Sequence, residues 1–512
     1  MLAWSLATLL PVALWGAAPS RPAGIVFFMI DTLRADHVHC LGYPRPTTPA
    51  LDALAARGTL FTNAVSQSNF SLPSYATLLT SRYPTSHGLF NIARALEPGS
   101  PALAGTLADH GFATAAFTGG GHLLPAFGLE RGFATYKSTQ FLESLYRTVP
   151  PAIQWLDGVG DRPFFLLLHG YDCHAPYTAP LGLAEQYDPA YDGVVHHPGF
   201  LWPAHLDKLF GLSYDPCALE DFARNPLLQL AGVAAHRRAL LPAGSAWPMA
   251  PVTSGDCRRL PPVPAESRPA IPFPVPRQYV ELEPPDVRHL IAHYDGTVTY
   301  ADTWLGIFVE ALRRRGLLER TLLVVSGDHG ESLGENRGLP AEDGRFGHGW
   351  SLVDWQIHVP LAIAGPGVAA GRRVTDAVEL IDLAPTVLEL CGLSPDRRHQ
   401  GESLAAQLRP GAAPASDPER PAFSCSLDQV TVRTARWQLM RGEAEGADSW
   451  RLYDLESDPL ERRDMSARRP ETAALLRSKL LDWLERTVPA GRPGRSRLDP
   501  QRRDAFRTFG YW

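Results

Sequence analysis

Residues 24–31 read G-I-V-F-F-M-I-D, an unbroken apolar, β-branched and aromatic run that stops on a carboxylate. Such a run suits a strand covered on both faces, as in a parallel sheet flanked by helices. Ligands of open α/β sheets bind beyond the carboxyl ends of the strands, which makes Asp31 a candidate site residue. The competing reading is that Asp31 caps a loop. Similar runs recur along the chain. Residues 112–118 (F-A-T-A-A-F-T) lead through glycines to His122, and 163–168 (P-F-F-L-L-L) lead to His169, Asp172 and His174. Residues 321–326 (T-L-L-V-V-S) end in G-D-H-G-E, so Asp328 and His329 share the edge predicted for Asp31. Residues 359–363 read as a further strand. Helical patterns lie between: one from Pro49 closed by Gly58, a long one from about 286 to 315, and one after Asp382. The alternation predicts an α/β fold with a doubly wound, largely parallel central sheet.

A second stretch, residues 71–84, reads S-L-P-S-Y-A-T-L-L-T-S-R-Y-P. Proline is tolerated in a first helical turn because its missing N–H would have no partner there. A helix therefore starts at Ser71, and its free N–H groups and partial positive charge suit an anion such as sulfate or phosphate. The alternative is that Ser71 or Ser74 is only an N-cap. Asp31, Asp328, His329 and the Ser71 hydroxyl supply four ligands for one divalent cation. Oxygen donors suit calcium, magnesium or manganese, while the histidine favours manganese, zinc or iron. His122, His174 and His348 lie in polar, Gly-rich loops and read as anion contacts or general acids, against the simpler reading of surface histidines.

Composition bounds the rest. Hydrophobic content of 45% and charged content of 20% over 512 residues fit a globular protein, and a net charge of −6 gives no reason to expect nucleic acid. Residues 1–20 are apolar and end in small residues, reading as a secretory signal or an uncleaved N-terminal anchor. Export to the periplasm or outside is expected, with the membrane touched only through such an anchor. Residues 21–410 form the expected catalytic domain, interrupted by a Pro-rich insertion at about 185–283 that caps the site. Residues 411–490 carry alternating runs and then a helix at about 470–487, predicting a small C-terminal antiparallel sheet-plus-helix subdomain. Residues 491–512 read as a basic, solvated tail. Cys217 and Cys257 share the Pro-rich region and are the pair to test for a disulfide.

I-D-T-L-R-A-D, T-T-P-A-L-D-A-L-A, S-L-P-S-Y-A-T-L-L-T-S-R-Y-P-T-S-H-G, P-F-F-L-L-L-H-G-Y-D-C-H-A-P-Y, S-G-D-H-G-E-S-L-G-E, F-G-H-G and L-Y-D-L-E-S-D-P-L-E occur in that order between about 24 and 465. Together they resemble the sulfatase family of the alkaline phosphatase superfamily. The resemblance implies that Asp31, Asp328 and His329 are metal ligands, with calcium the first expectation and manganese, magnesium or zinc also compatible. It places Ser71 where the family holds the Cys or Ser oxidised to formylglycine, whose hydrate attacks sulfur. It places His174 on the sulfate, His348 near the leaving-group oxygen and His122 beside the nucleophile. The sequence departs from the pattern at Thr32, where many members carry a second metal-binding Asp, and at Tyr75, where the signature has Arg. It departs again at Gly120, where a Lys contacts sulfate, and at Ser81, the third position of the usual L-T-G turn. The formylglycine signature is therefore incomplete.

The leading expectation is a metal-dependent hydrolase of sulfate esters acting on a small-molecule or glycan ester, with Ser71 at the nucleophile position. A phosphate or phosphonate ester hydrolase, or a phosphoryl-type transferase using unmodified Ser71, is the first alternative. A non-catalytic anion- or glycan-binding homologue is the second.

Overall fold

The computed structural model describes residues 21–138, 142–175, 177, 179–180, 182–192, 284–335, 346–411, 416–444, 447–487 and 494–495. The expected signal or anchor at 1–20, Cys217 and Cys257, nearly all of the Pro-rich insertion and most of the basic tail lie outside the described residues.

The strands of the central sheet are β1 (Gly24–Ile30), β2 (Thr59–Val65), β3 (Ala113–Thr118), β4 (Thr135–Ser138), β5 (Phe164–Gly170), β6 (Thr321–Gly327), β7 (His358–Ala364) and β8 (Arg372–Glu379). Their spatial order is β8-β2-β7-β6-β1-β5-β3-β4. All pairings are parallel except those of β7, which runs against both β2 and β6. Every residue of β1 is buried, as its unbroken apolar sequence requires. Its side chains alternate between faces. Ile25, Phe27 and Met29 face one core with Leu72, Tyr75 and Leu79 of α2 (Ser71–Thr80) and with α6 (Leu383–Leu390). Val26, Phe28 and Ile30 face the other with α1 (Pro49–Arg57), α4 (Leu145–Asp157) and α5 (Pro284–Arg314). A shorter helix, α3 (Leu103–Asp109), joins the first layer.

Helix α1 begins with Pro49 after Thr48, yet Thr48 makes no side-chain cap. Asp302 of α5 does that work from across the layer: its two carboxylate oxygens accept the N–H groups of Ala50 (2.8 Å) and Leu51 (2.9 Å). Burial pushes the Asp302 carboxyl up to about 8, opposed by those two hydrogen bonds.

β9 (Ala422–Cys425), β10 (Gln429–Arg433), β11 (Trp437–Ala444) and β12 (Ala447–Asp454) form an antiparallel sheet in chain order. Leu476, Leu480 and Trp483 of α7 (Pro470–Thr487) pack against its Val432, Leu439 and Leu452. No helix among the described residues is long and apolar enough to cross a membrane.

Register positions the site. Ile30 pairs with Gly170 of β5 on one side and with Gly327 of β6 on the other. The central strands therefore end level, and the next residues of β1 and β6, Asp31 and Asp328, emerge side by side.

Candidate active site

Asp31, Asp328 and His329 bring one donor atom each to within 4.8 Å of the others, all buried. Asp328 Oδ1 accepts the N–H of Thr32 (3.1 Å) and of His329 (2.9 Å). Its Oδ2, and Oδ1 of Asp31, are buried with no hydrogen-bond partner among the described residues. Burial pushes Asp31 up to about 8, eased by Ser71 and Asp328, and pushes Asp328 up to about 7, with Asp31 adding to the rise. Two orphan carboxylate oxygens facing a neutral imidazole are the donor set that a divalent cation satisfies, so the residues fit the expected ion.

Ser71 joins them. Its Oγ lies 3.0 Å from Asp31 Oδ2 and 3.2 Å from His329 Nε2. The N-cap alternative is corrected: Phe70 is the extended N-cap, it makes no side-chain cap, and Ser71 is the first helical residue. Ser74 does not cap either, since its hydroxyl donates to the Asp328 carbonyl at 2.6 Å. Thr32, between Asp31 and the rest of the loop, has φ of 55°, an uncommon conformation for a β-branched residue. Its N–H is fixed by Asp328 and its carbonyl accepts from the Tyr294 hydroxyl at 2.7 Å.

The three loop histidines are buried, which rules against the simpler alternative of surface histidines. His122 and His174 are 2% and 5% exposed, and the His348 side chain is 4% exposed. Rings chain together from the Ser71 side outward: His329 lies 4.4 Å from His348, His348 lies 5.0 Å from His174, and His122 lies 4.5 Å from Phe70. Hydrogen bonds fix the tautomers, because a carbonyl only accepts. His329 Nδ1 donates to the Gly330 carbonyl (2.9 Å) and His174 Nδ1 to the Ala175 carbonyl (2.5 Å), leaving each Nε2 with a lone pair. His348 Nδ1 faces Glu331 Oε1 at 3.1 Å. Burial pulls His174, His329 and His348 down to about 3. Burial also pulls His122 well below the usual range, with neighbouring imidazoles adding to the fall. Burial thus favours the neutral form of all four imidazoles.

Two residues escaped assignment from sequence. His169, at the end of β5, accepts the Gly119 N–H at Nδ1 (3.2 Å), so its Nε2 carries the proton toward Asp31 Oδ2, 3.5 Å away. Glu331 is the fully buried carboxylate that orients His348. Its place in G-D-H-G-E was the available signal.

The departures have structural counterparts. Gly120 has φ of 83° and ψ of −137°, a conformation that a lysine would hold only under strain. Ser81 has φ of 49°, where glycine is usual, and is held by its hydroxyl donating to the Ile381 carbonyl at 2.9 Å. Tyr75 is fully buried, edge-on to the His169 ring at 5.1 Å, and its hydroxyl has no hydrogen-bond partner among the described residues. Burial, then the nearby Asp328 and Asp31, hold that phenol far above its usual range, so a neutral ring occupies the place of a cation.

Known proteins are similar to this chain. Arylsulfatase K of Bos taurus is 28% identical over 205 residues, covering 38% of this chain and 36% of that protein. Choline-sulfatase of Rhizobium meliloti (strain 1021) is 30% identical over 193 residues, covering 36% of this chain and 34% of that protein. The chain thus matches about a third of the length of these curated relatives. A solved complex with D-glucosamine-2-N,6-O-disulfate, described as that protein's substrate, superposes with a TM-score of 0.62 at 18% identity, covering 91% of this chain and 97% of that one. The phosphonate monoester hydrolase of Agrobacterium radiobacter gives a TM-score of 0.62 at 20% identity, covering 92% and 96%. A family model described as N-sulphoglucosamine sulphohydrolase, C-terminal, matches residues 342–487. The model described as Sulfatase matches residues 24–393, and the chain belongs to the sulfatase family.

Proposed function

We propose that the protein is a metal-dependent sulfuric ester hydrolase with Ser71 at the nucleophile position. The observation that carries this reading is the Ser71 hydroxyl held 3.0 Å from Asp31 and 3.2 Å from His329 at the start of a buried helix. A divalent cation bound by Asp31, Asp328, His329 and Ser71 would oppose the charge on the ester oxygens and acidify the nucleophile. Calcium is the expected ion.

The chain's own residues divide the remaining work. Asp31 Oδ2 accepts the Ser71 proton, with His169 Nε2–H limiting how far that carboxylate swings. The oxygen of Ser71 forms a bond to sulfur as the bond from sulfur to the leaving alcohol breaks. The site lacks the Arg and Lys of the family pattern, so the entering anion itself draws protons onto the neutral imidazoles. His174 and His122 contact the sulfate, while His348, oriented by Glu331, gives its proton to the leaving oxygen. Water then attacks sulfur, His348 takes its proton, and the sulfur–Ser71 bond breaks to regenerate the hydroxyl.

A second reading, hydrolysis of phosphate or phosphonate esters by unmodified Ser71, is favoured by Tyr75 standing in the Arg position of the formylglycine signature. One experiment separates the readings: peptide mass analysis over Ser71 on active protein, with turnover of matched sulfate, phosphate and phosphonate esters. Sulfate preference supports the first, with plain serine matching the steps above and formylglycine placing the aldehyde hydrate in the role of the Ser71 hydroxyl. Plain serine with phosphonate preference replaces it with the second, and Ser71→Ala retaining full turnover sinks both. The catalytic domain at 21–410, the subdomain at 411–490 and export through the segment at 1–20 belong to this proposal; N-terminal sequencing of protein from the outside of cells tests the last.

A further inference from the structure

Near the start of α5 stands a histidine pair that the hydrolytic site does not use. His289 and His293 are four apart on one helix and so share a face. Their Nε2 atoms lie 3.2 Å apart, with ring centroids 4.7 Å apart and planes at 86°. His289 is 7% exposed, its Nδ1 lies 3.1 Å from Asp188 Oδ2, and its ring is stacked on Tyr191 at 3.7 Å. Tyr191 is held in turn by its hydroxyl donating to Asp286 Oδ1 at 2.5 Å.

We propose that His289 and His293 bind a divalent transition ion of the zinc class through both Nε2 atoms, with Asp188 orienting His289. Three features of the cluster lead there. Zinc–imidazole bonds of about 2.0–2.1 Å at a tetrahedral angle put the two nitrogens roughly 3.3 Å apart, close to the 3.2 Å already present. The carboxylate on the far nitrogen of His289 makes Nδ1 the donor, so Nε2 keeps its lone pair. That is the carboxylate–histidine–metal arrangement that fixes a ligand's tautomer and raises its basicity. The stacked Tyr191 locks the ring plane, so little side-chain freedom is left to lose. Without the ion the pair is an N–H···N hydrogen bond donated by His293; on binding, that proton shifts to Nδ1 of His293. Imidazole donors select zinc, copper or nickel, which distinguishes this position from the carboxylate-rich site at Asp31. The proposal is independent of the hydrolytic reading.

The test is equilibrium dialysis of the full chain against zinc with calcium saturating, on the natural protein and on His293→Ala, His289→Ala and Asp188→Asn. The natural protein and an Asp328→Ala variant bind one zinc that both histidine variants lose, and Asp188→Asn weakens that binding tenfold or more. With copper in place of zinc, electron paramagnetic resonance reads coupling to two imidazole nitrogens in the natural protein and to one in His293→Gln. Circular dichroism confirms that the variants fold. Equal zinc stoichiometry in the natural protein and in folded His293→Ala overturns the proposal, as does a copper spectrum that His293→Gln leaves unchanged.

Discussion

Thr32→Asp is the substitution with the most to say about the site, because two effects cancel and leave a third. The left-handed backbone at Thr32 (φ of 55°) costs a branched residue roughly 1–2 kcal/mol, and aspartate accepts that conformation more readily. Loss of the buried methyl costs about 0.8 kcal/mol, so the backbone and packing terms nearly balance. What remains is a third carboxylate beside two that burial already pushes to about 8 and 7. An uncompensated buried charge costs several kcal/mol; allowing for relaxation, about 3 kcal/mol is expected in chelator. Unfolding entropy of about 2.1 cal/mol/K per residue over 512 residues turns that into a fall of about 3 °C in Tm. In millimolar calcium the sign reverses, since each tenfold gain in affinity adds about 1.4 kcal/mol. The assay is thermal unfolding in chelator and in calcium, with Thr32→Asn as the uncharged control. A Thr32→Asp shift of equal size and sign in both media would refute the reasoning.

Other expectations follow from single contacts. Glu331→Gln leaves 4-nitrophenyl sulfate turnover within a few-fold but slows esters of poor alcohol leaving groups by about 10²–10⁴; an equal loss on both classes would mean that Glu331 only supports the fold. Tyr75→Phe removes a buried hydroxyl that has no hydrogen-bond partner among the described residues, so urea unfolding should show a gain of about 1 kcal/mol, and a loss would reveal a partner for it. Asp302→Asn costs about 2 kcal/mol at pH 5 by leaving one helix-start N–H without its acceptor. Because the folded carboxyl is raised from 3.8 to about 8, the natural protein's advantage is fully present below its unfolded pKa and fades as pH rises toward 8. Urea titrations at pH 5, 6, 7 and 8 check this, and a penalty that grows with pH would contradict it.

The sheet's interior was legible because β1, β3, β5 and β6 are apolar runs buried on both faces. The strands that escaped have other reasons for pairing. β2 (T-L-F-T-N-A-V) carries polar residues amid its apolar ones, and β8 (R-R-V-T-D-A-V-E) is an edge strand with charged positions. β4 (T-Y-K-S) is four residues long at the other edge. Asp31, Asp328 and His329 could be grouped because each follows directly on a readable strand. The order of the rings, the tautomers set by Gly119, Gly330 and Ala175, and the burial of His122, His174 and His348 depend on how loops from distant segments fold together. No local pattern encodes that.

The reversed strand β7 has a consequence for the order in which the site assembles. β6 leaves the sheet at the edge that carries Asp31 and Asp328 and β7 re-enters it there, so Asp328, His329, Glu331 and His348 belong to one excursion of the chain. The Glu331–His348 contact spans 17 positions, whereas Ser71–His329 spans 258 and Thr32–Asp328 spans 296. Loop-closure entropy grows with the logarithm of that span, a difference of roughly 2–3 kcal/mol between the extremes. The Glu331–His348 pair can therefore form early and alone, while the hydroxyl and the paired carboxylates meet only when β1 and β6 close the middle of the sheet. On refolding, recovery of turnover should lag recovery of helical signal, with the Ser71–Asp31 contact the last part to form.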